Sequence, residues 1–179
     1  QKRGVSVRQG HKADLIEAYK LFMETAGRAG FRLHPQDHYW QMYETLAPRY
    51  LKLLVAEYKG RLLAAMLLTM FGDTATYLHG GSSSQMREIM APHLLHWEAI
   101  KLAKNSGLTT YDFGGISSDA KNHPTWIGLN RFKKGFGGFE VVYPGSFDLV
   151  YSSIWYNAYK NARALGKIIR INRKTESQA

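Results

Sequence analysis

Apolar residues recur at helical spacing through the first third of the chain. Between Asp14 and Arg28 they return every three or four positions, which predicts an amphipathic helix. A second helix is expected to begin at Pro35, because proline suits the first turn, and to end before Pro48. A short strand at Val5–Val7 precedes both, so the chain opens with one strand and two helices.

The pattern then changes to three apolar runs that are long enough for strands. They are LKLLVAEY, RLLAAMLLTMF and TATYLHGG, and the pairs Lys59–Gly60 and Gly72–Asp73 separate them. Two-residue connections of this kind are typical of hairpins, so the runs predict an antiparallel meander. The middle run is apolar on both faces, and we therefore expect it to be the central strand, covered on both sides.

A helix and a further strand follow the meander. Residues 92–107 carry apolar side chains at helical spacing and stop at Gly107, and 110–113 form a short apolar strand. A helix that joins two strands in this way is a right-handed crossover, so these strands should be parallel. With a closing hairpin at Pro144–Gly145, the element order predicts an acetyltransferase-like α/β (α+β) fold, a mixed sheet flanked by helices.

The segment from Tyr111 to Tyr143 concentrates the candidate chemistry. Its glycine pairs, at 114–115 and 137–138, permit sharp turns and a close approach of the backbone to a ligand. Between them, RFKKGF forms the end of a helix whose apolar face points at the core. Three cations lie on the flanks and the open side of this helix: Arg131, Lys133 and Lys134. A solvated basic face is the alternative interpretation of the run.

Composition and charge narrow the range of partners. The 179 residues are enough for one domain, and the absence of cysteine excludes a disulfide framework and a thiolate nucleophile. The 24 basic and 14 acidic residues give a formal net charge of +10, which favours nucleic acid, nucleotide phosphates or an anionic membrane surface as partners. The sequence starts without methionine, so we expect it to be a piece or a processed form of a longer chain.

The C-terminal part is predicted to lie outside the domain, which spans residues 1–151. Residues 152–172 form a basic amphipathic helix, and the tail 173–179 is expected to be disordered. The pattern of the helix suits docking on a partner domain, and it equally suits peripheral contact with an anionic membrane surface.

Two histidine pairs at helical spacing are weak candidates for a metal site. They are His34 with His38 and His93 with His96. No neighbouring carboxylate or cysteine completes either pair, so the sequence predicts no bound metal. Asp112, at the end of a strand, is expected to fix the following loop rather than to react.

Several motifs together resemble a known family. YDFGG, GLNRFKKGFGG and EVVYPGSFDL resemble the C-terminal signature of the Fem-type (FemABX) peptidoglycan bridge aminoacyltransferases, and ETAGRAGFRLHP and TYLHGGSS agree with it. The resemblance covers about residues 11–150. Proteins of this family are similar to two tandem GNAT (acetyltransferase-like) domains, and the match here is to the second. It therefore implies an N-terminal GNAT-like domain as a partner.

The resemblance implies an aminoacyltransferase. Such enzymes take an amino acid from aminoacyl-tRNA and join it to an amino group on the stem peptide of a peptidoglycan precursor, UDP-MurNAc-pentapeptide or lipid II. No cofactor is implied, and the expected location is the cytoplasm, at the inner face of the membrane. The junction GGSSSQMREIMAPHL lacks the glycine spacing that holds the pyrophosphate of coenzyme A, so an acyl-coenzyme A donor is not expected.

Two other functions stay open at this point. In the first, the chain is a non-catalytic half of a two-domain enzyme that binds tRNA or the precursor. In the second, it is a GNAT-like N-acyltransferase with another acyl donor. The isolated chain would bind without turnover in the first case, whereas the second requires a donor other than aminoacyl-tRNA.

The family motif also implies candidate site residues. The lysine after the first phenylalanine of RFKKGF is the catalytic candidate, which is Lys133 here, and a fixed cation at this place would stabilise an oxyanion. A solvated lysine is the alternative interpretation. The residues assigned to substrate binding are Arg28, Arg32, Tyr77, Arg131 and Lys134.

Overall fold

A five-stranded sheet is the centre of the structure, a computed structural model that describes residues 4–117 and 124–176. The strands are β1 (Ser6–Gln9), β2 (Leu51–Tyr58), β3 (Arg61–Phe71), β4 (Thr74–Ser82) and β5 (Thr110–Asp112). They lie in the order β1-β2-β3-β4-β5; the first four are antiparallel, and β5 runs parallel to β4. The predicted meander, the parallel crossover and the mixed sheet are confirmed.

Helices α1 (Leu15–Ala29) and α2 (Gln36–Leu46) cover one face of this sheet, and α3 (Ala91–Asn105) covers the other. Two further helices follow along the chain, α4 (Pro124–Lys134) and, after a long connection, α5 (Ser153–Glu176). Side chains of α1 and α2 pack with Leu51, Leu53 and Leu67 in one buried cluster. Side chains of α3 pack with Leu54, Met66 and Leu68 in a second cluster. The two clusters lie on opposite faces because successive strand residues point to opposite sides.

Strand β3 is central and buried on both sides, as its sequence predicted. All six residues from Leu63 to Leu68 are buried. Ala65 and Leu67 belong to the cluster with α1 and α2, and Ala64 and Met66 to the cluster with α3. A strand without a polar face is stable only where both of its faces are covered. The apolar sequence of β3 therefore accounts for its central position in the sheet.

A β-bulge in β4 directs the side chains of Tyr77 and His79 to opposite faces of the sheet. Leu68 of β3 pairs with Tyr77 and Leu67 with His79, so Leu78 is the extra residue of the bulge. Without the bulge, residues two apart on one strand would share a face. With it, Tyr77 packs on the α3 side against His96, whereas His79 packs on the α2 side against Tyr39.

Gly81 is required where α1 crosses the end of β4. A Cβ atom there would lie 2.4 Å from the backbone carbonyl oxygen of Leu21, which cannot move without shifting α1. We expect Gly81→Ala to lower the free energy of unfolding by about 1–3 kcal/mol, the usual cost of overpacking. Urea unfolding measures this difference.

The matched control for this substitution is Gly27→Ala in α1. A Cβ atom at Gly27 has no neighbour within 4 Å, so alanine there should stabilise the helix by about 0.5–1 kcal/mol. Unfolding curves of equal midpoint for Gly81→Ala and the unsubstituted protein would show that α1 adapts and that the close approach does not require glycine.

The predicted closing strand and hairpin are absent from the described residues. Residues 138–152 form no strand, and Phe139 and Val142 are 90% and 89% exposed. Gly145 does adopt a positive φ of 96°, as a turn would. The alternating apolar residues predicted a strand from propensity, but a strand forms only where its backbone groups find a pairing partner, and this segment has none among the described residues.

The chain divides into two compact units, residues 1–137 and 138–179. Residues 138–151, which the sequence assigned to the first domain, therefore fall in the second unit; the domain boundary at residue 151 stays a prediction. The helix α5 reaches Glu176 and so continues past the predicted end at residue 172, and residues 177–179 lie outside the described ranges. Among the described helices, none combines the length and the apolar character needed to cross a bilayer.

Candidate active site

A cavity of about 550 Å³ opens in the first unit, on the α3 side of the sheet. Its walls come from the end of α1, the middle of β3, the end of β4, the start of α3 and one side of α4. Elements that are distant in sequence thus converge on one concave surface, which is the usual character of a small-molecule site. Of the residues predicted from sequence, Arg28 and Tyr77 line it.

Arg28 is held in place at the mouth of this cavity. Its guanidinium donates hydrogen bonds to the carbonyl oxygen of Ser82 at 3.0 Å and to Oγ of Ser84 at 2.8 Å. Glu24, one helical turn earlier, lies 3.8 Å away and also accepts a hydrogen bond from the backbone N–H of Ser84. Ser82 and Ser84 therefore fix the orientation of an arginine fork.

The connection from β4 to α3 forms a strained rim that the sequence did not reveal. Met86 and Met90 line the cavity with φ of 54° and 59°, a left-handed conformation that is unfavourable for side chains other than glycine, asparagine and aspartate. Arg87 and Gln85 lie between β4 and Met90 and also line the cavity. Arg87 adds a second guanidinium to the wall that contains Arg28, so the mouth of the cavity is positively charged.

Lys133 is buried, not solvated. Only 8% of its surface is exposed, and its Nζ atom donates a hydrogen bond of 2.7 Å to the carbonyl oxygen of Gly115. Nζ also lies 6.0 Å from the centre of the Tyr77 ring, which lines the cavity. The interpretation of Lys133 as a solvated lysine, and its assignment to the open side of the helix, are therefore wrong. The apolar residues on either side, Phe132 and Phe136, pack inward and draw this turn of α4 against the sheet.

The turn after β5 orients the carbonyl group of Gly115, which accepts the hydrogen bond from Lys133. Gly114 adopts φ of 70°, and its backbone N–H donates a hydrogen bond of 2.7 Å to Oδ1 of Asp112. This contact confirms that Asp112 fixes the loop. Burial lowers the pKa of Lys133, and the charge of Asp112 opposes that shift. The arrangement thus combines a partly desolvated ammonium with a carboxylate that favours its charged form.

Tyr77 forms part of the wall between Lys133 and α3. Burial raises the pKa of its hydroxyl group to about 12, so the hydroxyl stays protonated at neutral pH. A Cβ atom at Gly80 would lie 2.3 Å from this hydroxyl oxygen, so glycine at position 80 makes room for it. The ring packs edge-on against His96 at a centroid distance of 4.6 Å.

His93 and His96 belong to an aromatic cluster rather than to a metal site. His93 stacks on Phe136 at 5.9 Å and meets Phe132 edge-on at 4.7 Å. His96 is 3% exposed, and burial lowers its pKa to about 3, so its ring is neutral at pH 7. The sequence carried a signal for this burial, since Ala99 and Ala103 continue the same face of α3 at helical spacing.

Residues 51–164, which supply most of the walls of the cavity, match the model of the FemAB family. The chain belongs to the FemAB family. Its curated relatives in this family include the lipid II:glycine glycyltransferase of Staphylococcus epidermidis, 29% identical over 176 residues, which are 97% of this chain and 42% of that protein. The lipid II:glycine glycyltransferase of Staphylococcus aureus is 33% identical over 118 residues, 65% of this chain and 28% of that protein. The chain thus spans less than half the length of these relatives.

Solved structures agree with the fold of this FemAB chain. The crystal structure of FemX superposes with a TM-score of 0.71 at 20% identity, over 77% of this chain and 51% of that one. An aminoglycoside acetyltransferase from an uncultured soil metagenomic sample superposes with a TM-score of 0.58 at 12% identity, over 83% of this chain and 99% of that one. The predicted GNAT-like fold and the predicted Fem-type family are therefore confirmed.

Three of the cations assigned to substrate binding in this FemAB chain do not line the cavity. Arg32, Arg131 and Lys134 are exposed, and none of them belongs to its walls. Arg32 follows the end of α1, while Arg131 and Lys134 lie in the last turn of α4. The structure therefore unites Arg28, Tyr77 and the neighbouring Lys133, and leaves these three outside the cavity.

On the face of the sheet that α1 and α2 cover, His79 lies beside the predicted pair His34 and His38. The rings of His34 and His38 stack at 4.5 Å, and His79 approaches them edge-on at 6.0 and 6.3 Å. Burial, together with the two neighbouring imidazoles, lowers the pKa of His79 to about 4. Within residues 4–117 and 124–176, no group of three or more histidine or acidic side chains has an arrangement that suits a metal ion.

Proposed function

We propose that this FemAB chain is part of an aminoacyltransferase that moves an amino acid from aminoacyl-tRNA to an amino group on the stem peptide of a peptidoglycan precursor. The observation that carries the proposal is the burial of Lys133 beside the Tyr77 wall of the cavity. An ammonium has three donors, and one of them goes to Gly115, so the group can also donate to a reacting oxygen. No cofactor takes part in the proposed reaction.

The proposed reaction needs positioning and charge rather than a protein nucleophile. The lone pair of the acceptor amine attacks the ester carbonyl carbon of the aminoacyl-tRNA, and a C–N bond forms. The C–O bond to the ribose then breaks, and the proton lost by the amine balances the charge on the leaving oxygen. Between these events the carbonyl oxygen carries negative charge, which a fixed ammonium such as Lys133 stabilises.

Arg28 is the proposed contact for the phosphates of the acceptor. Its fork is oriented by Ser82 and Ser84, and Arg87 adds a second charge at the same rim. Guanidinium groups suit phosphate because of their planar, paired donors. The names of the relatives from staphylococci favour lipid II as the acceptor and glycine as the amino acid, and UDP-MurNAc-pentapeptide is the soluble alternative with the same diphosphate.

The proposed place of action is the cytoplasmic side, at the inner face of the membrane, where a lipid-linked acceptor would be found. The helix α5 supports this location, since it exposes Ile154 and Trp155 and carries Lys160 and Arg163. The same helix suits docking on the N-terminal GNAT-like domain that is proposed to complete the protein.

A binding role without catalysis is the second candidate function. Lys133 donates to a backbone carbonyl and is not itself part of the cavity wall, which would suit a lysine that only fixes the turn at Gly115. In that case this chain would bind the precursor or tRNA, and catalytic groups would come from outside it. An assay of glycine transfer from glycyl-tRNA to lipid II, together with the substitution of Lys133, distinguishes the two functions.

The full-length protein is expected to transfer [¹⁴C]glycine from glycyl-tRNA to lipid II, without added coenzyme A. Separation of the labelled lipid by thin-layer chromatography measures the product. Acetyl-coenzyme A with the same acceptor is the matched control and should give no product, because the pyrophosphate turn is lacking. Transfer from acetyl-coenzyme A alone would support an N-acyltransferase with that donor and contradict the proposal.

Binding of tRNA is expected to depend steeply on salt. The formal net charge of +10 supports a phosphate-binding surface, and each phosphate contact releases counterions. The affinity for glycyl-tRNA, measured by filter binding, should therefore fall at least tenfold between about 50 and 200 mM salt if several phosphates are contacted. Failure to bind tRNA at the lower salt concentration would remove tRNA as a partner of this chain.

A further inference from the structure

His96 is anchored at one ring nitrogen and enclosed by aromatic rings. Its Nδ1 atom lies 2.9 Å from the hydroxyl oxygen of Tyr111. The rings of Tyr77, Phe113 and Phe132 surround it at centroid distances of 4.6, 5.2 and 5.3 Å. An imidazole enclosed in this way has little rotational freedom, so the direction of its second nitrogen is fixed as well.

The hydrogen bond to Tyr111 determines which nitrogen carries the hydrogen. The hydroxyl group has one hydrogen and two neighbouring acceptors, Nδ1 of His96 at 2.9 Å and Sδ of Met66 at 3.9 Å. A thioether is a weak acceptor and an imidazole nitrogen a strong one, so the hydroxyl donates to Nδ1. In the neutral ring the hydrogen then lies on Nε2, as the hydrogen-bond network assigns it.

The second ring nitrogen, Nε2, is the atom of His96 that is available to a ligand. His96 belongs to the cavity wall, whereas Tyr111, the partner of Nδ1, does not. The hydrogen bonds among the described residues include one to Nδ1 and none to Nε2. A molecule that occupies the cavity can therefore supply the partner of Nε2.

We propose that His96 presents Nε2–H as a fixed, uncharged hydrogen-bond donor that binds a carbonyl oxygen of the substrate at the inner wall of the cavity. The donor suits a neutral acceptor, because anionic groups find the guanidinium groups of Arg28 and Arg87 at the mouth of the same cavity. A neutral imidazole can polarise a carbonyl group without giving up its hydrogen, as a helix-bound histidine does in triosephosphate isomerase.

The proposal rests on the proposed function, which offers two carbonyl groups. One is the ester carbonyl of the aminoacyl donor, whose oxygen becomes an oxyanion. The other is an amide carbonyl of the stem peptide, whose charge does not change during the reaction. A donor to the first accelerates turnover, whereas a donor to the second strengthens binding of the precursor.

The tautomer is tested without any assay of activity. Protein labelled with ¹⁵N-histidine gives long-range proton–nitrogen spectra that distinguish the two tautomers of a neutral imidazole. We expect His96 to show the Nε2–H form at pH 7. Its Nε2 resonance should shift on addition of UDP-MurNAc-pentapeptide if the amide carbonyl is bound, or of glycyl-tRNA if the ester carbonyl is bound. The Nδ1–H form, or a resonance that neither substrate shifts at saturation, would overturn the proposal even if transferase activity is never found.

Two substitutions separate the donor from the structural role of the ring. The amide of His96→Asn lies where Nδ1 was and keeps the contact with Tyr111, whereas the amide of His96→Gln reaches the position of Nε2. In the full-length enzyme we expect His96→Gln to retain most of the activity that His96→Asn loses. His96→Asn should lower kcat by about 100-fold if the ester carbonyl is bound, or raise KM for the precursor by about tenfold if the amide carbonyl is bound.

Two outcomes would contradict the proposed role of His96 as a hydrogen-bond donor. Equal losses in His96→Asn and His96→Gln, with equal midpoints of urea unfolding, would show that only the shape of the ring matters. Normal kinetics of His96→Asn would show that no substrate atom needs the donor. Absence of transfer by the unsubstituted enzyme would instead contradict the proposed function, and the spectra would then decide about His96.

Discussion

Replacing Lys133 with methionine is expected to lower the turnover of the full-length enzyme by about 100- to 1,000-fold, the usual effect of removing a fixed oxyanion donor. Methionine has nearly the length of lysine and no charge, so it fills the same buried space between Phe132 and Phe136. The oxyanion exists only near the transition state, so kcat should fall while KM for glycyl-tRNA changes little. Steady-state kinetics with varied glycyl-tRNA measures both constants.

The neighbouring Lys134 supplies the matched control. It is exposed and outside the cavity wall, so Lys134→Met should leave kcat within a few-fold of the unsubstituted enzyme. Urea unfolding should show that Lys133→Met is no less stable, because an apolar side chain replaces a partly desolvated ammonium. Normal kcat with a higher KM for glycyl-tRNA would make Lys133 a binding residue and favour the non-catalytic function.

The sheet could be predicted because its strands obey local rules. The pairs Lys59–Gly60 and Gly72–Asp73 fit two-residue turns, and Lys59, Gly60 and Gly72 all adopt positive φ in the structure. The run in β3 has no polar face, so only a central position could bury it. Both signals depend on neighbouring residues alone, and a single sequence therefore contains them.

The features that the sequence could not supply depend on contacts between distant residues. The burial of Lys133 requires the turn at Gly114 to bring the carbonyl group of Gly115 to it. The bulge at Leu78 follows from the pairing of β3 with β4, which no residue type at position 78 signals. The absent closing strand is a failure of the same kind, because the propensity of residues 138–151 was correct for a strand but no partner strand pairs with them among the described residues.

The candidate site was predicted in part, and through resemblance more than through spacing. Arg28 and Tyr77 were assigned from motifs, and both line the cavity. His96 was considered only as the partner of His93 in a metal site, although its position on the face of Ala99 and Ala103 indicated burial.

The stability of the chain is expected to fall steeply as the pH decreases from 6.5 to about 4. Burial lowers the pKa of His96 to about 3 and that of His79 to about 4, whereas both titrate near 6.5 in the unfolded chain. In this interval the unfolded state binds more protons than the folded state, so the free energy of unfolding rises with pH and is lost on acidification. Each unit of pKa displacement corresponds to about 1.4 kcal/mol, so His96 contributes a loss on the order of 4 kcal/mol, and the more exposed His79 contributes less.

Urea unfolding at a series of pH values between 7 and 4.5 measures this loss where carboxyl groups contribute little. Asp14, whose pKa the guanidinium of Arg8 lowers to about 2, loses its stabilising effect only below about pH 4, so it does not account for a slope in this interval. His96→Asn keeps the hydrogen-bond partner of Tyr111 and removes the titrating ring, so its unfolding free energy should depend much less on pH. A slope as steep as that of the unsubstituted chain would mean that His96 is not held neutral by burial, and the environment assigned to it here would be wrong.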